Sequence, residues 1–78
     1  MNVDDALKKI FVEVFREDIS NITDESSQNS IENWDSLSMV RLMVEIEKEF
    51  HIEFDIIDIS KFETFSTIRN AIEKKLSE

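Results

Sequence analysis

The chain has 78 residues, enough for one small domain with a modest core, and it contains no cysteine, glycine or proline. The absence of cysteine excludes disulfides, thiolate catalysis and zinc–thiolate sites. Eighteen acidic residues against nine basic ones give a net charge of −9, which disfavours nucleic acids and anionic membranes as ligands and favours proteins with basic docking patches.

Neither a secretory signal nor a membrane-spanning segment is visible in the sequence. The N-terminus lacks a basic segment followed by an apolar one, and no apolar run approaches the roughly 20 residues that a spanning helix needs. We therefore expect a cytoplasmic, monomeric protein that forms one domain over residues 1–78, with no membrane insertion.

The first predicted element is an amphipathic helix, roughly Val3 to Arg16, with Asn2 as a candidate N-cap. Its apolar residues follow the spacing of a single helical face: Leu7, Ile10, Phe11, Val14 and Phe15.

A polar segment, 17–34, follows without a sustained helical period, and its length suggests function. We expect its apolar residues to fix it to the core: Ile19, Ile22, Ile31 and Trp34. Because the chain lacks glycine, we expect its asparagines to take the positions that need positive φ, namely Asn21, Asn29 and Asn33.

The second predicted helix runs from Ser36 to Phe50. Asp35 is a good N-cap and makes Ser36 the first helical residue, beside free backbone N–H groups and the positive end of the helix dipole, a favourable place for a phosphate ester. Trp34 and Met39 have the spacing of a hydrophobic staple across the helix start.

This helix has two apolar stripes, more apolar surface than one core requires. We assign the larger stripe to the core: Met39, Leu42, Met43, Ile46 and Phe50. The second begins beside Ser36, predicts a second contact surface, and comprises Leu37, Val40 and Val44. The polar face contains Ser38, Arg41, Glu45 and Lys48, and Arg41 is spaced to pair with Glu45.

Two shorter helices complete the prediction. Asp55 is a candidate cap for a short helix near Ile56 to Lys61, and Ser66 for a final helix from Thr67 to about Leu76. The inward residues of the last helix would be Ile68, Ala71, Ile72 and Leu76. The predicted fold is all-α, a small bundle of three main helices and one short helix.

No set of residues in the sequence has the arrangement of a catalytic centre. The only histidine, His51, follows an amphipathic helix and is better explained as structural. Asp55 and Asp58 lack the loop spacing of a calcium site and are better explained as capping and solvated side chains. We therefore predict a protein that is not an enzyme and holds no metal.

The segment Trp34-Asp35-Ser36-Leu37, followed by Val40, Leu42 and the run Ile46-Glu47-Lys48-Glu49-Phe50, resembles the acyl carrier protein family. The resemblance spans nearly the whole chain and includes the entry to the last helix, Thr64-Phe65-Ser66-Thr67-Ile68.

The resemblance implies a function and a set of site residues. Ser36 would receive 4′-phosphopantetheine from coenzyme A through a phosphopantetheinyl transferase, with Asp35 helping that enzyme to dock. The thiol of the arm would then carry an acyl thioester between enzymes of a fatty-acid, polyketide or related specialised pathway. The expected partner-binding residues are Leu37, Val40, Arg41, Val44, Glu47 and Lys48. The alternatives are an aminoacyl carrier, of D-alanyl or peptidyl type, and an unmodified helical adaptor.

Two features depart from the family pattern. Asn33 and Trp34 stand where many fatty-acid carriers have glycine and a small residue, and Arg41 and Lys48 interrupt an acidic helix. From Asp35 to Glu63 there are eight acidic and three basic residues, a net charge of −5. This pattern favours a dedicated pathway.

Bulky residues occupy the region that forms the cargo pocket in similar proteins: Phe50, Phe54, Ile59 and Phe62. Their size either favours a short cargo or reflects the needs of a small core.

Overall fold

The computed structural model describes residues 2–78 and confirms the predicted all-α bundle, with three main helices and one short helix. The helices are α1 (Val3–Phe15), α2 (Ser36–Phe50), α3 (Ile56–Ile59) and α4 (Phe65–Leu76). One 3-10 turn, Ile19–Asn21, interrupts the segment between α1 and α2. Over residues 2–78 no strand forms, although Ser27 and Thr64 make an isolated antiparallel bridge.

Side-chain caps determine where the helices begin. Asn2 caps α1 as predicted, its side chain accepting from Asp5 N at 3.2 Å. The predicted cap Ser66 is wrong, because α4 begins two residues before Thr67 and its cap is Thr64. Thr64 and Thr67 bond reciprocally as a capping box.

Two helix ends also differ from the prediction. Helix α1 ends at Phe15, one residue before the predicted end, because Arg16 adopts a left-handed conformation with φ 55°. Helix α3 ends at Ile59, with Ser60 as its C-cap, so the predicted extension to Lys61 is wrong. This single turn is held by two backbone hydrogen bonds, Ile59 N to Asp55 O and Ser60 N to Ile56 O, each 3.1 Å, and by the Asp55–Asp58 capping box.

An aromatic cluster lies at the centre of the core. The Phe11 ring meets three others edge-on, with centroids 5.2 Å from Phe15, 5.4 Å from Trp34 and 5.0 Å from Phe65. Trp34 also stacks on Phe15 at 5.2 Å and 21°. The cluster therefore joins α1, α4 and the residues immediately before α2.

An ion-pair cluster also links α1, α4 and the connecting segment. Arg69 of α4 donates to Asp4 of α1 at 3.0 Å and to Asp24 of the connecting segment at 2.7 Å. Its guanidinium also lies 5.8 Å from the centroid of Phe65. Arg69 lowers the pKa of the Asp24 carboxyl. The pKa of Asp4 is lowered by Lys8 first and by Arg69 second, through side-chain hydrogen bonds.

The segment 17–34 follows its predicted anchoring except at one residue. Ile22, Ile31 and Trp34 are buried, whereas Ile19 is 53% exposed. Ile19 opens the 3-10 turn, and a turn of three residues has no continuous face to bury.

The asparagine prediction for positive φ is wrong. Over residues 2–78, only Arg16 and His51 have positive φ, and these residues are the C-caps of α1 and α2. The left-handed conformation is thus needed where a helix must stop, not within the connecting segment. Asn33 instead donates from its amide to Phe15 O at 2.8 Å.

Candidate functional site

Ser36 occupies the first position of α2 and is exposed to solvent. The serine hydroxyl is thus presented at the helix N-terminus, where the dipole favours an anion. Its neighbour Leu37 is 76% exposed, so the side chain that follows Ser36 also faces solvent.

A capping box fixes the backbone on which Ser36 lies. Asp35 accepts from Ser38 N at 2.9 Å, and Ser38 Oγ accepts from Asp35 N at 2.8 Å. The Ser38 hydroxyl in turn donates to Asn33 O at 2.7 Å. The backbone N–H of Ser38 lowers the pKa of the Asp35 carboxyl, so Asp35 stays ionised beside Ser36 at neutral pH.

Trp34 anchors this helix start to the core. It is 4% exposed within the aromatic cluster, and its indole Nε1 donates to Met39 Sδ at 3.3 Å. The predicted staple between Trp34 and Met39 is therefore confirmed as a contact. The tryptophan that departs from the family pattern holds the Ser36 end of α2 in place.

The geometry fits a phosphate ester on Ser36. The hydroxyl is accessible, the backbone around it is fixed, and the helix dipole stabilises negative charge at this point. The Asp35 carboxylate accepts a hydrogen bond from Ser38 N, and this bond fixes the orientation of the Asp35 side chain next to Ser36. An arm attached to Ser36 would extend from the end of the helix into solvent.

The predicted partner-binding residues lie on the outer surface of α2. Leu37, Val40 and Val44 are exposed by 76%, 61% and 54%. Arg41 and Lys48 are also exposed, and the predicted ion pair between Arg41 and Glu45 does not form within the described chain. These side chains are therefore available for contact.

Glu47 has a structural contact that the sequence does not reveal. It is half-buried, and its Oε2 accepts from Phe54 N at 2.9 Å. This bond ties the segment after α2 back to the helix. One carboxylate oxygen remains for a further donor.

A shallow apolar groove of about 200 Å³ lies between α2 and α3. Its lining residues are Met39, Val40, Met43, Val44, Glu47 and Ile59. Of the bulky residues considered for the cargo region, Ile59 lines this groove, whereas Phe54 and Phe62 pack edge-on against each other at 5.0 Å.

The sequence did not single out Ile56 and Ile57 as surface residues. Ile56 is 82% exposed and Ile57 is 64% exposed, and both lie on α3. Four helical residues are too few for a periodicity to distinguish an inner from an outer face. The signal that could have found them is the run of consecutive isoleucines directly after a cap, because a one-turn helix cannot bury both.

The other residues considered for chemistry have structural roles. His51 is the left-handed C-cap of α2, with φ 56°. Asp55 and Asp58 cap each other's backbone, at 2.9 Å from Asp58 N and 3.3 Å from Asp55 N. Among residues 2–78, no three histidine, aspartate or glutamate side chains converge as a metal site. Within that same range, none of the helices has the length and apolarity to cross a membrane.

The exposed serine at the start of a capped helix and the small α-bundle around it fit a phosphopantetheine-bearing carrier domain, and comparisons with known proteins identify the family. Residues 5–74 match the family described as "Phosphopantetheine attachment site". The chain is 36% identical over 70 residues to the acyl carrier protein of Thermotoga maritima, covering 90% of this chain and 86% of that protein. It is also similar to the solution NMR structure of holo acyl carrier protein from Geobacter metallireducens. That similarity has a TM-score of 0.87 and 36% identity, and it covers 99% of this chain and 88% of that one.

The chain belongs to the acyl carrier protein family. It is a non-enzymatic carrier with a phosphopantetheine prosthetic group, and it interacts with the enzymes that modify carriers and process their acyl groups.

Proposed function

We propose that Ser36 bears the phosphopantetheine and that the chain shuttles acyl thioesters between enzymes of a dedicated pathway. The observation that carries this proposal is the exposure of Ser36 at the first position of a helix whose start is fixed by Asp35, Ser38 and Trp34. The chain itself holds and presents the group. The thiol of the arm supplies the thioester chemistry when the group is attached.

Each neighbouring residue contributes to presenting the serine. The ionised Asp35 provides a fixed negative charge beside the acceptor hydroxyl, suited to a basic docking patch on the transferase. Trp34 anchors the helix start to the core, because its ring is packed against Phe11 and Phe15. The exposed Leu37, Val40 and Val44 give the modifying and loading enzymes an apolar contact next to the serine.

Intact mass spectrometry tests the attachment site. The purified chain, incubated with coenzyme A, Mg²⁺ and a broad-specificity phosphopantetheinyl transferase, should gain the mass of one phosphopantetheinyl group. Ser36→Ala should gain none, whereas the matched control Ser77→Ala, an exposed serine at the end of α4, should still be modified. A wild-type chain that gains no mass would favour an unmodified adaptor, and a gain that persists in Ser36→Ala would place the arm elsewhere.

The proposed cargo is a short acyl group. The rings of Phe54 and Phe62 pack against each other and leave no room for a cargo between them, and the groove beside α2 is shallow. An aminoacyl cargo is the second candidate, favoured by the same lack of space for a long chain. Loading of the holo-protein by purified acyl ligases and by aminoacyl ligases distinguishes the two.

The cytoplasmic location, the monomeric state and the single-domain boundaries 1–78 remain predictions.

A further inference from the structure

We propose that partner enzymes of this carrier recognise α2 through a patch of opposite charges, with carboxylates facing Arg41 and Lys48 and a basic group facing Glu47. This inference rests on the proposed carrier function and specifies the chemistry of the partner. It differs from docking by net charge alone, which would require only a basic patch on the partner.

The basic side of the surface comprises Arg41 and Lys48. The two residues are seven positions apart, about two helical turns and about 10 Å along the axis, so they lie on one line down α2. Both are exposed, and neither forms an ion pair with any residue of the described chain. In contrast, Lys8 and Arg69 are held by Asp4 and Asp24 on the other side of the bundle.

The apolar stripe lies directly beside this basic line. At about 100° per residue, Leu37 and Val44 lie within about 60° of Arg41 around the helix, and Val40 lies about 100° from it, on the side toward Glu47. All three apolar side chains are more than half exposed. A partner that covers the stripe must therefore also approach both cations, and partly desolvated cations require facing carboxylates.

Glu47 forms the opposite edge of the stripe. It lies about 120° around the helix from Arg41, on the side of the groove that Ile59 also lines. Its bond to Phe54 N holds the side chain at a fixed position. A basic edge and an acidic edge on opposite sides of one apolar stripe favour a single docked orientation and disfavour a partner that is uniformly basic.

The test uses an acyltransferase that accepts short acyl groups and whose carrier-docking patch contains only lysine and arginine. The same enzyme is also prepared with two of these residues changed to glutamate. All carrier variants are first converted to the holo form, and their masses and thermal melts are recorded. Only folded, modified variants enter the assay, which measures kcat/KM for transfer to the carrier at low and at physiological salt.

The double variant R41E/K48E should raise kcat/KM with the all-basic enzyme by roughly ten-fold at low salt, because two repulsive contacts become attractive. Its matched control is K61E/K74E, which makes the same change in net charge on residues that line a cleft with Phe62 and Asn70 near α4. The control should change kcat/KM by less than about three-fold, through long-range charge only. With the glutamate-bearing enzyme the order should invert, so that the wild-type carrier is preferred.

Glu47→Gln tests the acidic edge. The amide oxygen can still accept from Phe54 N, so the substitution removes charge while keeping the structural bond. We expect kcat/KM with the all-basic enzyme to fall by roughly three-fold, opposite in sign to the effect of R41E/K48E.

Three results would overturn the inference: no gain for R41E/K48E with the all-basic enzyme, an equal gain for K61E/K74E, or no inversion with the glutamate-bearing enzyme. These outcomes leave the carrier function intact, because that function is read separately from the mass gain at Ser36.

Discussion

The two sides of this bundle are built differently. The anchored side, formed by α1, α4 and segment 17–34, is joined by the aromatic cluster and by the ion pairs of Arg69. The docking side, formed by the outer surface of α2 and by α3, leaves five large apolar side chains exposed: Leu37, Val40, Val44, Ile56 and Ile57.

Under the proposed function, this difference assigns stability and recognition to separate surfaces. A chain of this size has only a modest free energy of unfolding, so burying fewer apolar groups than the sequence offers is a cost. Ser36 lies at the boundary, because Trp34 belongs to the aromatic cluster while Leu37 belongs to the docking side. The anchored side therefore fixes the position of Ser36, and the proposed partner enzymes would contact it from the docking side.

The largest effect should come from breaking the anchored side. Phe11→Ala removes a fully buried ring that contacts three other aromatic rings, and it should lower the free energy of unfolding by about 3–5 kcal/mol. The matched variant Val44→Ala truncates a side chain that is 54% exposed and should change stability by less than about 0.5 kcal/mol. Denaturant unfolding followed by circular dichroism measures both. Equal losses would contradict the separation of the two sides.

A smaller loss, dependent on pH, should follow from removing Arg69. The pKa values of Asp4 and Asp24 lie below their ordinary value of 3.8 in the folded chain, so their ion pairs contribute stability above that pH. That contribution is lost as pH falls through the folded pKa values. Arg69→Met should lower the thermal midpoint at neutral pH and flatten its decline below about pH 4.

The control for this prediction is Arg41→Met, which removes the same charge from the docking side. Arg41 has no ion pair in the described chain, so its loss should leave both the midpoint and its acid dependence nearly unchanged. An Arg69→Met protein with the wild-type acid profile would show that the ion-pair cluster contributes little to stability.

Much of this architecture was predictable, because it depends on local patterns. The spacing of Leu7, Phe11 and Val14 predicted the buried face of α1, and Asp35 predicted the start of α2 at Ser36. The outward stripe on α2 was also predictable, since a helix with two apolar faces in a small bundle can bury only one. The identity of the site was carried by the resemblance, because a serine after an aspartate cap is common to many helices.

What the sequence did not reveal depends on contacts distant along the chain. Local sequence favours Ser66 as the α4 cap because capping residues are plentiful there. In the structure, Phe65 N and Ser66 N donate to Ser26 O and Asp24 O of the connecting segment. The bond from Phe54 N to Glu47 and the ion pairs of Arg69 likewise join residues with no local signature. Positive φ was placed on asparagine by propensity, but the ends of α1 and α2 required it at Arg16 and His51.

Asp35 offers a way to separate capping from charge at the boundary between the two sides. Asp35→Asn keeps a side-chain acceptor for Ser38 N and should leave neutral-pH stability almost unchanged, because asparagine caps as well as aspartate. Asp35→Ala removes the acceptor and should lower the thermal midpoint. Both should slow the transferase, since both remove the charge beside Ser36.

The measurement combines thermal melts with the initial rate of phosphopantetheinylation. If Asp35→Asn is modified at the wild-type rate, Asp35 acts only as a cap and contributes no charge to docking. The acid dependence gives a second check: the lowered pKa of Asp35 means that its contribution to stability disappears as pH falls through that value, and Asp35→Asn should lack this loss.

The smallest predicted effect compares two equivalent positions, one on each side. Arg16 and His51 end α1 and α2 with almost the same left-handed backbone, φ 55° and 56°. A side chain with a Cβ is disfavoured there, so Arg16→Gly and His51→Gly should each raise the free energy of unfolding by about 0.5–1 kcal/mol. The strain is local, so the gain should be equal on the anchored and docking sides even though their packing differs.

Denaturant midpoints of the two variants measure this gain, with Lys9→Gly in the middle of α1 as a control that should destabilise by about 1 kcal/mol. A gain at only one of the two positions would mean that the side chain lost there makes contacts whose stabilisation exceeds the backbone strain.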